Sequence, residues 1–140
     1  MTVISPCSYS TSAEDKVLVT WIFAQLGRTL LLPEQHMNAC TALCGSGPAF
    51  YALILEAMTD GGVMMGLPRP EAQMMAAQTM QGAARLVLGG EHPAIIREQV
   101  STPAGCTIGG LLVLEDGKVR STIARGIQEA TRVASGLGSK

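Results

Sequence analysis

The chain has 140 residues, 47% of them apolar and 15% charged, with a formal net charge of −1. That length suits a single domain, and so balanced a charge, with Lys and Arg scattered, gives no basic stripe for nucleic acid. Charge this sparse falls below the ~25% of an ordinary soluble domain. A lone domain of this size buries roughly 68–70% of its unfolded surface and covers the rest largely with polar groups. The apolar surplus therefore predicts a subunit or domain interface, and an obligate oligomer.

The longest strongly apolar run, Ala49–Leu55, is far short of the ~20 residues of a spanning helix, so no membrane partner is expected. Residues 1–12 have neither a basic start nor a long apolar centre, and no signal peptide is expected. Four cysteines occur without CxxC spacing, which reads as reduced core residues rather than a disulfide framework. A cytoplasmic location follows as an expectation, with a mitochondrial one left open.

In chain order, Thr2–Ser5 is short and β-branched and reads as a strand remnant. Ser12 is placed to cap a helix, with Glu14 and Asp15 in its first turn where negative charge is favoured. Val17, Leu18, Trp21, Ile22 and Leu26 recur at helical spacing, and Gly27 is placed to end the helix. Thr29–Leu32 is extended or irregular, and a helix from Pro33-Glu34 runs to about Leu43. Cys44–Pro48 forms a Gly-rich break. Pro48 suits a first helical position, opening a helix that reaches about Met65 and is apolar on every side over Ala49–Leu55. That helix should be central and buried all round. Gly66–Pro70 is a turn; Glu71–Leu88 is a helix rich in Ala and Met, ended by Gly89-Gly90. A short polar helix follows from about Pro93, then the loop Ser101–Gly105, a helix from Cys106 or Thr107, and a last helix from about Val119 to Ala134 before a frayed tail. No alternating run is long enough for a sheet, so the fold class is all-α with six or seven helices.

Two Gly-rich segments carry the candidate chemistry. In Ser101-Thr102-Pro103-Ala104-Gly105-Cys106-Thr107, Pro103 cannot donate a backbone bond and Gly105 permits close approaches. The first N–H groups of the following helix lack intrahelical partners and carry the positive end of its dipole. That suits a small carboxylate or phosphate. From spacing alone, an ordinary start with Thr102 or Thr107 capping its own helix is the commoner outcome. The second segment, Gly45-Ser46-Gly47-Pro48, lacks the GxGxxG pattern and the Lys of a phosphate loop. It would let a flat ligand approach the backbone, or be a simple turn.

Other groups read more plainly. His36, Cys40 and Cys44 share one helix face at i, i+4 and i+8, but structural zinc requires four ligands, and core packing is the reading preferred. No metal site is expected. His92, beside Pro93, is a cap rather than a general base, because nothing nearby orients its ring. Cys106 has no neighbouring His to make it a nucleophile.

Together the loops resemble the pyrroline-5-carboxylate reductase family. ALCGSGPAFYALILEAMTDGGVMMGLPR is similar to the family's GSGPA helix and DGGVKMGLPR turn, and HPAIIREQVSTPAGCTIGGLLVLEDGKVR is similar to its signature. Ala104 stands where the family usually has Gly, Cys106 where it has Ala or Thr, Met64 where it has Lys, and Cys44 where it has Ser. The resemblance implies a helical domain, residues 12–140, that forms an interlocked homodimer or larger homo-oligomer. Residues 1–11 would be the last strand and linker of a Rossmann domain that the chain otherwise lacks. It implies NADPH- or NADH-dependent reduction of 1-pyrroline-5-carboxylate to proline, with the cofactor held mainly by that other domain. Thr102, Pro103, Gly105, Cys106 and Thr107 would bind substrate, the Thr107 hydroxyl reaching the ring nitrogen as the catalytic contact. Ser46, Gly47 and Pro48 would lie near the nicotinamide. The chain alone would be inactive; a non-catalytic dimerisation module is the alternative.

Overall fold

The computed structural model describes residues 1–6 and 11–137. The linker expected across residues 7–10 and the tail at 138–140 lie outside the described residues. The elements are β1 (Thr2–Ile4), α1 (Ala13–Ala24), β2 (Thr29–Leu31), α2 (Met37–Cys40), α3 (Gly47–Met64), α4 (Arg69–Leu88), α5 (Pro93–Gln99), α6 (Cys106–Asp116) and α7 (Val119–Leu137). The mainly helical fold agrees with the sequence reading; α7 runs three residues past Ala134, through the start of the expected tail.

A small sheet is the first departure. β1 pairs with β2 in parallel, Val3 opposite Leu30, and α1 supplies the crossover that parallel strands require. Strands of three residues are too short to show a period of two, so the pairing was invisible to pattern. It ties residues 2–4 to residues 29–31. After Leu31 the described residues form no further strand. At the start of α1, Ser12 Oγ donates to Asp15 Oδ2 at 2.8 Å and accepts from the Asp15 N–H at 3.0 Å, while the Ser12 N–H also donates to that carboxylate. These bonds hold the Asp15 carboxyl below its ordinary value. The capping box thus stabilises α1 above the usual carboxylate range and weakens as pH falls through it.

The expected break at Cys44–Pro48 is the second departure. A single 3-10 turn, Glu34–His36, leads into α2, and a π turn, Thr41–Gly45, leads on to α3. The Ser46 N–H donates to Thr41 O at 3.0 Å, five residues back. A proline inside a helix clashes with the carbonyl four residues earlier; the wider turn before Pro48 eases that clash at Cys44. The helical run Glu34–Met64 is 31 residues long and contains an 18-residue window of mean hydropathy 1.2, long and apolar enough to cross a membrane by length and composition. Apolar run length alone had predicted no such segment. A helix covered by protein has the same composition.

Two compact units divide the chain: Met1–Pro48 with Ile123–Lys140, and Ala49–Thr122. In the second, α3 and α4 pack through small residues. Ala72 and Ala76 are buried, Gly62 has the Ala72 Cβ 3.3 Å from where its own would stand, and Thr59 is buried with its hydroxyl donated to Leu55 O at 2.8 Å. Arg69 closes the turn with an ion pair to Asp60 at 2.8 Å.

Neither unit has a core of large side chains. The only buried apolar residues among those described are Ala42, Ala72 and Ala76. Helix α3, expected to be buried all round, leaves Leu53 66% exposed, and Trp21 of α1 is 63% exposed. The chain exposes 10764 Å², whereas a compact monomer of its mass exposes roughly 6,900 Å² and even two separate compact halves roughly 8,000 Å². The missing cover must come from another chain or segment. Sedimentation at micromolar concentration is expected to give a dimer or larger species; a stable monomer with native helix content would refute this.

Candidate functional site

The α5–α6 loop is built around one tight turn. Thr102 precedes a proline and is thereby pushed towards extended backbone. Pro103 and Ala104 are the central residues, and the Gly105 N–H donates to Thr102 O at 3.0 Å. Ala104 has φ 56°. Pro103 cannot adopt positive φ, so this is a type II turn, whose third position favours Gly. Ser101 anchors the near end, its hydroxyl donating to Arg97 O at 2.7 Å and its N–H to Glu98 O at 2.9 Å. Glu115 of α6 pairs with Arg97 of α5 at 3.7 Å and with Arg120 of α7 at 3.0 Å, all half-exposed. Such pairs contribute little stability.

Gly105 is the residue this geometry cannot replace. A Cβ there would land on Thr102 Oγ1 and 3.0 Å from Thr102 O. Gly105 also serves as the N-cap of α6 at φ −76°, ψ 163°, with no side-chain cap. Neither Thr102 nor Thr107 caps the helix, which sets aside the ordinary cap. Both hydroxyls are without a hydrogen bond among the described residues, Thr102 exposed and Thr107 half-buried. The Gly105 amide is taken by Thr102 O, which leaves the amides of Cys106, Thr107 and Ile108 as open donors at the positive end of α6. Residues 101–107 hold no carboxylate, ammonium, guanidinium or imidazole. The loop can therefore bind an anion through neutral donors but has no ordinary acid or base.

Ser46, Gly47 and Pro48 sit at the junction of the π turn and α3. Ser46 is half-buried with its amide engaged, Gly47 is buried and Pro48 is exposed. π turns inside helices are frequent at functional sites.

The plainer expectations divide. His92 is an exposed cap, its Nδ1 accepting from the Ala94 N–H at 3.2 Å. The described residues hold no group of three or more metal-ligating side chains. The π turn widens the repeat between Cys40 and Cys44, so the two no longer follow one i, i+4 row. Their core reading fails in this chain: Cys40 is half-buried, Cys44 exposed, and Cys106 exposed as well. Reading the sequence missed the left-handed Ala104. Thr-Pro-x-Gly signals a tight turn, but Pro at the second position suits types I and II alike, so the positive φ at the third was not specified by it. A mainly apolar concavity of about 760 Å³ beside α4 is lined by Tyr51, Ala77, Met80, Gln81, Val87 and Leu88. Without convergent polar groups, it resembles an uncovered packing face.

An oligomerising helical domain with an anion-receptive loop is the class this fold and loop define. Residues 34–137 match the family model described as pyrroline-5-carboxylate reductase dimerisation, and the chain belongs to that family. It is 63% identical over 138 residues to the pyrroline-5-carboxylate reductase of Schizosaccharomyces pombe, covering 99% of this chain and 49% of that protein. The Lophium arboricola enzyme is 64% identical, with 99% and 43% covered. Among solved structures, pyrroline-5-carboxylate reductase from Coxiella burnetii superposes with TM-score 0.91 at 28% identity, over 96% of this chain and 50% of that one. The Plasmodium falciparum enzyme, solved with NADP bound, gives 0.87 at 28% identity, with 97% and 56% covered. The chain thus spans about half the length of the relatives it matches.

Gly105→Ala tests the loop's steric constraint. The added methyl must displace Thr102, and a loss of about 1–3 kcal/mol is expected, as for overpacking elsewhere. Thermal unfolding measures it; an unchanged or higher Tm would show that Thr102 moves freely aside.

Proposed function

We propose that this chain provides the substrate loop and the oligomer interface of a pyrroline-5-carboxylate reductase, which reduces 1-pyrroline-5-carboxylate to proline with NADPH or NADH. The observation that carries the reading is the uncapped start of α6, with its first amides open and the hydroxyls of Thr102 and Thr107 unbonded. The substrate carboxylate would be held by Thr102 and by the amides of Cys106 and Thr107, with Pro103 and Gly105 shaping the turn. The Thr107 hydroxyl would bond the ring nitrogen and orient the C=N bond. As the loop offers no carboxyl, imidazole or ammonium group, the proton that nitrogen needs would come with the substrate or from water.

The reduced nicotinamide supplies the hydride. Ser46 and Pro48, small and uncharged with Gly47 behind them, fit the edge of such a ring. No residues described here form a pyrophosphate or ribose site, so the cofactor would be held mainly by sequence outside this chain. Homo-oligomerisation would cover α1, α3 and α6, and the helical run Glu34–Met64 would serve a protein interface rather than a bilayer. Free cysteines at three described positions fit a reducing compartment, and we place the protein in the cytoplasm.

The 140-residue chain alone is expected to give background rates when NADPH oxidation is followed with pyrroline-5-carboxylate; turnover above that level would overturn the division of labour. In the enzyme completed with a cofactor domain, Thr107→Val removes one hydroxyl and keeps the shape. Loss of a bond to a charged or charge-developing group should lower kcat/KM roughly 10- to 150-fold with the fold intact. An unchanged kcat/KM would support instead a dimerisation module without a catalytic role.

A further inference from the structure

We propose that Ala104 is a positioning residue that leaves the loop divided between two turns, the substrate carboxylate selecting the one seen here; this rests on the reductase reading above. With Pro at the second position, both type I and type II turns are open to Thr102–Gly105. They differ by rotation of a single peptide, Pro103–Ala104, and both keep the bond from the Gly105 N–H to Thr102 O. Glycine at the third position makes type II the easy choice. Alanine does the reverse, since its Cβ disfavours the left-handed region and is at ease in the type I geometry. Yet Ala104 stands at φ 56°. A non-glycine residue stays there only where its surroundings over-determine it.

Around Ala104 those surroundings are thin. Thr102, Pro103 and Ala104 are exposed, and neither the Thr102 hydroxyl nor any side chain caps the start of α6. Rotating the peptide exchanges its N–H for its carbonyl oxygen on each face of the loop, so an anion bound on one face meets opposite ends of the peptide dipole in the two turns. An anion favours the N–H end of that dipole and is repelled by the oxygen, so it binds the two turns unequally. We assign the favoured turn to the left-handed one. Substrate affinity is then reduced by the fraction of chains in the other turn. Residue 104 therefore tunes KM without touching the reacting atoms.

Two measurements test this. In the 140-residue chain, 15N relaxation dispersion is expected at residues 104 and 105. Ala104→Gly should suppress it by raising the left-handed population about 5- to 30-fold relative to the other turn. In the completed enzyme, Ala104→Gly should lower KM about 2- to 10-fold with kcat unchanged, and Ala104→Val should raise KM. Flat dispersion in both chains, or a KM that ignores residue 104 in an active enzyme, overturns the proposal. Dispersion suppressed by Ala104→Gly in a protein whose completed form never reduces pyrroline-5-carboxylate would overturn the reaction and leave the turn equilibrium standing.

Discussion

Apolar surface that the chain cannot cover by itself governs the rest of this structure. Three alanines and no larger apolar side chain are buried among the described residues, while α1, α3 and α6 carry Trp21, Leu53 and Leu112 outward. At roughly 25 cal/mol per Å² of apolar area removed from water, a few thousand Å² of excess exposure is worth more than the whole stability of an ordinary domain. The helices are well formed locally, with a capping box on α1 and a proline in the first turn of α4 and α5. Local order alone does not hold seven helical segments in place. Association is therefore part of folding here, and the family's description as a dimerisation domain agrees with what the exposed faces require.

Within that frame the loop before α6 is a matter of close approach. Its turn brings the Thr102 hydroxyl against the Cα of residue 105, and only glycine leaves the room. The same turn consumes the Gly105 amide and leaves those of Cys106, Thr107 and Ile108 open. A capped helix start would have satisfied its own donors and held nothing. An uncapped one, flanked by hydroxyls and free of charged side chains, is suited to a carboxylate that arrives with its own charge.

The helices and their ends were legible because their signals are local. Ser12 and Asp15 form the cap their spacing implies, Gly27 at φ 149° and Gly66 at φ 97° end helices in conformations that favour glycine, and His92 caps α5. What could not be read depends on distance or on compensation. β1 and β2 pair across twenty-four intervening residues, a contact no local pattern encodes. The Gly-rich stretch at Cys44–Pro48 looked like a break because Gly and Pro usually interrupt helices, but a π turn absorbs both and the run continues. The burial expected for α3 failed for a different reason: apolarity says that a helix must be covered, not that its own chain covers it. In the candidate site, the residues were identified by resemblance; Thr-Pro-x-Gly announced a tight turn, but alanine at its third position gave no sign of the left-handed backbone found there.

These two constraints meet in α6. Its first turn presents the open amides, and the same eleven-residue helix has no buried residue, with Leu112 and Val113 more than half exposed. Its attachment to α5 and α7 through Glu115 runs over half-exposed ion pairs that contribute little. A helix so weakly held within its own chain cannot keep its first amides within the few tenths of an ångström that hydrogen-bonding geometry demands. Covering its apolar face would fix it. An interface that covered α6 would fulfil two requirements at once, since a contact removing Leu112 and Val113 from water would also stiffen the start of the helix.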